Sequence, residues 1–398
     1  MTQTASSDYV KNRQVFYIPG YDPFPPRRYR ELYRKEAQAQ AEISGYEISL
    51  KGDGAGWRVS AEIDGAQTVA QVDVLQWSDL VQSSMAESIP ATYLQLAKTA
   101  WIYISTGVLG KLMRLRKGPV IAALYPVGFL LLQLVIAVTA GLIIAGLAPG
   151  GVIALLIFFA VSAVILIAFR RYDHKLFAYY LMHDYAFSAR LRGAYPPQME
   201  TRMAAFRAEI ENALTCDVDE VLVVGHSSGA HLAVSILADL VREGADHAPA
   251  LSLLTLGHVV PMISFLPDAH RLRGDLALLS CCDALSWVDV SAPGDGCCFA
   301  LCDPVSVTGL ACEAKRWPLV ISAAFSQTLS PARWQALKRR YFRLHFQYLC
   351  AFDRPNDYDY FQITAGPLTL GARYDGRSPS KSRIEQPLSP FTSTGVAR

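Results

Sequence analysis

Neither sign of charge dominates the 398 residues: 37 Lys and Arg face 35 Asp and Glu, for a formal net charge of +2. So balanced a chain offers a polyanion no long-range attraction, which excludes nucleic acid as an expected partner. Met1 to Gln14 is polar and lacks the apolar core of a secretory signal. Among the eight cysteines there is no Cys-x-x-Cys pair, and the adjacent pairs Cys281-Cys282 and Cys297-Cys298 would chelate one ion poorly. No metal and no cofactor is expected. No internal repeat is present, which excludes a solenoid.

The longest absence is of charge itself. Between Lys117 and Arg170 no Asp, Glu, Lys, Arg or His occurs, and Gln133 is the one strongly polar side chain. A spanning helix needs about 20 apolar residues, and the stretch divides at Ala148-Pro149-Gly150-Gly151 into two such segments, about 120–147 and 152–169. The expectation is a transmembrane helical hairpin over 119–169. Lys111, Arg114, Arg116 and Lys117 precede it, Arg170, Arg171 and Lys175 follow it, and the turn is uncharged. The positive-inside rule then places both flanks in the cytoplasm: an integral, multi-pass protein with its soluble domain on the cytoplasmic side. In that compartment the cysteines are expected to be thiols.

Two soluble parts remain, 14–118 and 170–375, between a flexible N-terminus (1–13) and a tail, 376–398, whose Ser, Pro, Thr and Arg content reads as disordered. Gln14 to Ile18 is a short apolar run closed by Pro19-Gly20, and a helical pattern follows from Pro26 to Ala41. Strands are expected at Tyr46–Leu50, Trp57–Ile63, Thr68–Leu75, Glu220–Val224, Leu251–Leu256, Ser286–Val290 and Leu319–Ala323, and helices at Met199–Leu214 and Ala230–Glu243. Strands alternating with helices imply an α/β domain with a mostly parallel sheet.

The motif that carries chemistry is Gly225-His226-Ser227-Ser228-Gly229, which follows the apolar strand Val221-Leu222-Val223-Val224 and opens an apolar helix. A turn that tight strains the serine and requires small residues two before and two after it, which Gly225 and Gly229 supply. Ser227 would then project above the sheet edge as nucleophile, with the amide of Ser228 as one oxyanion donor at the helix start.

This stretch resembles the nucleophile elbow of the α/β-hydrolase superfamily. The resemblance extends to short motifs within the two soluble parts and implies a mostly parallel sheet with helices on both faces, here interrupted by the hairpin. Tyr17-Ile18-Pro19-Gly20-Tyr21-Asp22-Pro23 resembles the segment that gives that family its second oxyanion amide, which would come from Tyr21 or Asp22. Its Pro19 departs from the family's common His-Gly form. The family's order is serine, acid, histidine. Downstream of Ser227 lie His231, His247, His258, His270 and His345. Leu285 to Val290 leading into Ser291-Ala292-Pro293-Gly294-Asp295-Gly296 resembles the acid strand and loop, which implies Asp295 as the acid, with Asp289 as its rival inside the strand. His345 is the imidazole that remains downstream. His226 is expected to pack beside the site, His231 to be a packed helix residue, and Asp353, Asp357 and Asp359 to lie in a solvated loop.

The implied function is a membrane-anchored serine hydrolase. It would cleave carboxylic esters or thioesters of a membrane lipid or small acyl substrate through an acyl-enzyme on Ser227, His345 and Asp295. The alternative is a catalytically silent hydrolase-like membrane protein that binds a lipid or a protein partner.

Overall fold

The computed structural model describes residues 8–85, 88–244 and 248–395. In chain order the first part holds β1 (Asn12–Ile18), α1 (Pro26–Ser44), β2 (Glu47–Asp53), β3 (Gly56–Ile63), β4 (Ala66–Val74), α2 (Ser78–Met85), α3 (Ile89–Ser105) and α4 (Val108–Leu115). Two apolar helices follow, α5 (Lys117–Ala145) and α6 (Gly151–Arg171). The second part holds α7 (Ala178–Ala189), α8 (Pro197–Leu214), β5 (Glu220–His226), α9 (Gly229–Arg242), β6 (Ala250–Leu256), α10 (His270–Cys281), β7 (Ser286–Ser291), β8 (Leu319–Ser322), α11 (Pro331–Leu337), α12 (Tyr341–His345) and α13 (Tyr360–Ala365).

The strands form one sheet in the order β2-β3-β4-β1-β5-β6-β7-β8. β2, β3 and β4 are an antiparallel meander, and every pairing from β4 through β1 to β8 is parallel. Parallel strands need long crossovers, and the helices of those crossovers cover both faces. Side-chain alternation divides the core accordingly. Val15, Tyr17, Leu222, Val224, Val288 and Val290 pack against Tyr29 and Tyr33 of α1 and Phe361 of α13. Phe16, Ile18, Val221, Val223, Leu253 and Trp287 pack against α8, α9 and α10. Burial on both faces is why β5 reads as an unbroken apolar run rather than an alternating one. At the amino edge, Arg13 Nε donates to Glu220 at 2.5 Å, and the other Glu220 oxygen accepts from Ser252 at 2.6 Å and from the Leu370 amide at 2.7 Å. The pair is fully buried and hydrogen-bonded, the condition under which buried charge is tolerated.

Both apolar helices are long and apolar enough to cross a membrane. The end of α6 meets the middle of α5, where the rings of Phe129 and Phe169 lie 6.4 Å apart. From there α6 packs almost entirely on α5: Ser162 donates to the Ala137 carbonyl, and Gly141 admits Phe158 and Ser162. No residue of α6 is buried. The hairpin differs from expectation at its base. The first turns of α5, to Leu130, rest on the body against Leu96 of α3 and Ala178 and Met182 of α7, and Tyr93 donates to the Leu130 carbonyl. Roughly 25 Å of paired helix projects beyond Phe129, at 1.5 Å per residue.

Both ends of the chain depart from the expected disorder. Val10 is buried and its amide donates to the Pro367 carbonyl at 2.8 Å, so order begins before residue 13, while residues 1–7 lie outside the described residues. The tail from Gly376 through residue 395 is laid along the body. Ile384 exchanges backbone hydrogen bonds with Leu301 and Asp303, Leu388 donates to Val307, and Arg273 donates to the Ser393 carbonyl. Composition misleads there because three spaced apolar side chains, Ile384, Leu388 and Phe391, suffice to seat an extended segment against Phe299 and Val307. Cys281 and Cys312, expected to be thiols, are joined as a disulfide where the end of α10 meets the loop before β8.

Candidate active site

The carboxyl ends of β1, β5, β7 and β8 converge on one edge, and the segments leaving them carry the candidate residues. Ser227, between β5 and α9, has φ +56°, the left-handed conformation expected of a strained elbow. The flanking glycines are required by contact. A Cβ on Gly225 would lie 2.7 Å from Ala230 Cα, and one on Gly229 would lie 2.1 Å from the Ile18 carbonyl oxygen. The backbone of Gly20 abuts the serine so closely that a Cβ there would sit 2.9 Å from Ser227 Cβ. The sequence Pro19-Gly20 after β1 is thereby tied to the elbow.

Asp295 and His345 are brought together: His345 Nδ1 lies 2.7 Å from Asp295 Oδ2, with both side chains buried. Two residues hold the carboxylate from the other directions. The Cys297 amide donates to Oδ1 at 2.9 Å, and the Tyr348 hydroxyl donates to Oδ2 at 3.1 Å. Burial works to raise the Asp295 pKa, but the charge of His345 and the hydrogen bonds from His345, the Cys297 amide and Cys298 overcome it and hold the group below its ordinary value. Asp289 is not part of this cluster. It accepts from Thr255 at 2.6 Å inside the sheet, with His258 Nε2 at 3.7 Å, and burial raises its pKa.

His345 Nε2 is buried and has no hydrogen-bond partner among the described residues. Ser227 Oγ also makes no hydrogen bond among the described residues, so the serine-to-histidine link is open in this structure. The two groups are neighbours through His226, whose ring lies 4.8 Å from that of His345 and whose Nε2 donates to the His345 carbonyl at 3.1 Å. Burial pushes His226 down to about 3, keeping it neutral, and its Nδ1 is 3.3 Å from the Tyr17 hydroxyl.

Tyr21 and Asp22 lie in the loop after β1, and Ser228 opens α9. Among the described residues none of their three amides donates a hydrogen bond. The loop is fixed by its side chains: Asp22 accepts from the Tyr29 hydroxyl at 2.7 Å and the Phe24 amide at 3.1 Å, and the Tyr21 carbonyl accepts from the Tyr180 hydroxyl. A cavity of about 20 Å³, room for about one water, lies beside Ser228 and is lined also by Trp77, Asp184 and His231. Burial pushes Asp184 up to about 7, against the opposing charge of His345. A separate cavity of about 740 Å³ is at the opposite edge, by Ser286 and Leu319 at the amino ends of β7 and β8. Its Lys315 pairs with Asp303 and its Arg383 with Glu385.

The other candidate histidines and acids among the described residues have structural partners. His231 stacks on Tyr195, and His258 Nε2 lies 2.9 Å from the Cys302 carbonyl oxygen. His270 lies at the start of α10 near the Ser393 carbonyl, and His247 lies outside the described residues. Asp353 and Asp357 pair with Arg333 and Arg377, while Asp359, expected in a solvated loop, is buried and caps α13.

Asp295, Cys297 and His345 offer three metal-ligand atoms within 4.8 Å of one another. Their chemistry fits a hydrogen-bonded pair better. The Asp295 oxygen and the His345 nitrogen already engage each other, and burial raises the Cys297 thiol well above its ordinary value, away from the thiolate a metal takes. Tyr348, Asp184 and the tie from His226 to His345 are the features of this site that the sequence does not single out. No protein-family model, curated protein or solved structure matches the chain. What the residues themselves present is a strained serine beside a hydrogen-bonded imidazole and carboxylate, with unused amides near the serine.

Proposed function

We infer that the protein is a serine hydrolase of α/β-hydrolase type, anchored in a membrane by its apolar hairpin, that cleaves carboxylic esters or thioesters. The observation that carries this reading is the 2.7 Å contact between His345 Nδ1 and buried Asp295, placed beside a serine at φ +56°. In the mechanism it supports, His345 Nε2 takes the Ser227 proton as Oγ bonds to the acyl carbon. The amide of Ser228, with that of Tyr21 or Asp22, receives the oxyanion. Collapse breaks the bond to the leaving oxygen or sulfur, which takes the proton from His345. Water then repeats the cycle on the acyl-enzyme and releases the acid. Asp295 keeps the Nδ1 proton in place and stabilises the imidazolium.

The basic residues at both feet of the hairpin support a cytoplasmic body. A bilayer position makes acyl lipids the natural substrate class. The test is labelling by a fluorophosphonate probe in membranes holding the full chain. Wild type and Ser228→Ala are expected to label, the latter because Ser228 contributes only its amide, and Ser227→Ala is expected not to label. The open link between Ser227 and His345 is what a silent binding protein would also display, and a folded wild type that resists the probe would establish that second reading.

A further inference from the structure

Four cations lie in the segment that carries the candidate catalytic histidine, Lys338-Arg339-Arg340-Tyr341-Phe342-Arg343-Leu344-His345. Among the described residues none of the four makes an ion pair, and Arg339, Arg340 and Arg343 are exposed. The fold carries them to the foot of the hairpin. The Phe342 ring packs 4.9 Å from that of Phe177 and 6.1 Å from that of Tyr180. Phe177 follows the end of α6, where Arg171 and Lys175 are also exposed and make no ion pair among the described residues. Tyr125 of α5 locks the same place by donating to the Leu176 carbonyl at 2.7 Å. The nearby acid, Asp173, is occupied by the amides of Tyr179 and Tyr180. Exposed aromatic rings stand among the cations: Tyr172 is 55% and Tyr341 58% exposed.

We propose that Lys338, Arg339, Arg340 and Arg343, with Arg170, Arg171 and Lys175, form a surface that docks on the headgroups of anionic phospholipids. The inference rests on the membrane reading of the hairpin and adds a lipid class to it. Cations at a helix foot are ordinary topology signals, but these four arrive from a segment far along the chain and join them in space. Each cation near an anionic surface contributes on the order of 1 kcal/mol, and interfacial aromatics complete the match. A soluble polyanion is disfavoured because the hairpin itself presses this face toward the bilayer. Docking bears on the site through packing. Trp334 of α11 lies against Gly294 and Tyr341 against Gly296, so the basic segment lies over the Asp295 loop while its end carries His345.

The test uses the purified full chain in a neutral detergent, titrated with short-chain phosphatidylglycerol, phosphatidylcholine or inorganic phosphate, with thermal stabilisation as the readout. Phosphatidylglycerol is expected to stabilise at low salt and to lose most of its effect at about 0.5 M salt. Phosphatidylcholine and phosphate should do little. The combined variant Lys338→Gln, Arg339→Gln, Arg340→Gln and Arg343→Gln should need at least about tenfold more phosphatidylglycerol for the same shift. A variant with Lys at all four positions should behave as wild type, which separates charge from folding. Equal stabilisation by phosphatidylcholine, an unchanged response of the Gln variant, or equal stabilisation by phosphate overturns the proposal. Probe labelling of the same samples reports the hydrolase reading separately, because lipid binding requires no reaction at Ser227.

Discussion

Two buried aspartates six residues apart show how position decides role. Asp289 faces into the sheet toward Thr255, while the turn at Pro293-Gly294 lifts Asp295 over the strand end to His345. Asp295→Asn is expected to leave the imidazole without its acceptor and to lower kcat by up to about 10⁴, with little change in melting temperature. Asp289→Asn should keep turnover and cost about 1 to 3 kcal/mol of stability. One ester assay and one melt on each variant decide between them. Tyr348→Phe removes the hydroxyl donor to Asp295 and leaves the Ala292 amide unpaired; a loss of about tenfold in kcat is expected, measured on the same ester. His231 tests burial. Its pKa is lowered from the ordinary value to about 3 by desolvation, so the folded state refuses a proton that the unfolded chain accepts near 6.5. The stability it contributes is complete above about 6.5 and is lost as pH falls toward 3, about 2 kcal/mol by pH 5. His231→Gln should therefore lose less melting temperature than wild type between pH 7.5 and pH 5; parallel pH profiles would contradict this.

At the scale of elements, close contact rather than propensity fixes the elbow. Gly229→Ala would press a methyl into the Ile18 and Pro19 carbonyls, forcing the start of α9 away from β1. The expected cost is about 3 kcal/mol together with loss of probe labelling, because the shift moves both sides of Ser227. Gly110, in α4, meets nothing within 4 Å at its Cβ position, so Gly110→Ala should stabilise by about 0.5 to 1 kcal/mol in the same melt. The strands were legible because an apolar run bounded by glycine and proline has one economical use in an α/β sheet. The elbow was legible because its glycines, serine and helix are contiguous. α3 and α7 escaped the reading because much of their apolar surface packs on α5 and on each other rather than on the sheet, or faces outward, which blurs a single core-facing stripe. On α3, Leu94, Trp101 and Ile104 are 56%, 71% and 61% exposed along one side. Tyr348 was illegible for another reason: nothing in the order of 19 tyrosines marks the one whose hydroxyl reaches Asp295.

For the whole molecule, the hairpin is either a membrane anchor or part of the core, and the two alternatives make opposite predictions. Beyond Leu130, the buried residues of α5 are Gln133, Ala137 and Gly141, and α6 buries none. The sheet and the Ser227 site therefore owe little to the projecting part. The near approach of Phe129 and Phe169 allows residues 131–167 to be replaced by a short Gly-Ser linker. The wild type is expected to stay in the membrane pellet through alkaline carbonate and high salt, as spanning helices do. The shortened protein keeps only the basic surface and the exposed side of α3, attachments that give reversible binding. It should pellet with anionic membranes at low salt, leave them at about 0.5 M salt and still label at Ser227. Topology reporters after residues 110 and 380 should both read cytoplasm in the intact chain. If excision instead abolishes folding, seen as aggregation and loss of labelling, the apolar helices belong to the core and the anchor reading fails. If the shortened protein folds but remains in the pellet through salt and carbonate, the anchoring lies in α3 and the first turns of α5, and the projecting hairpin is not what holds the protein in place.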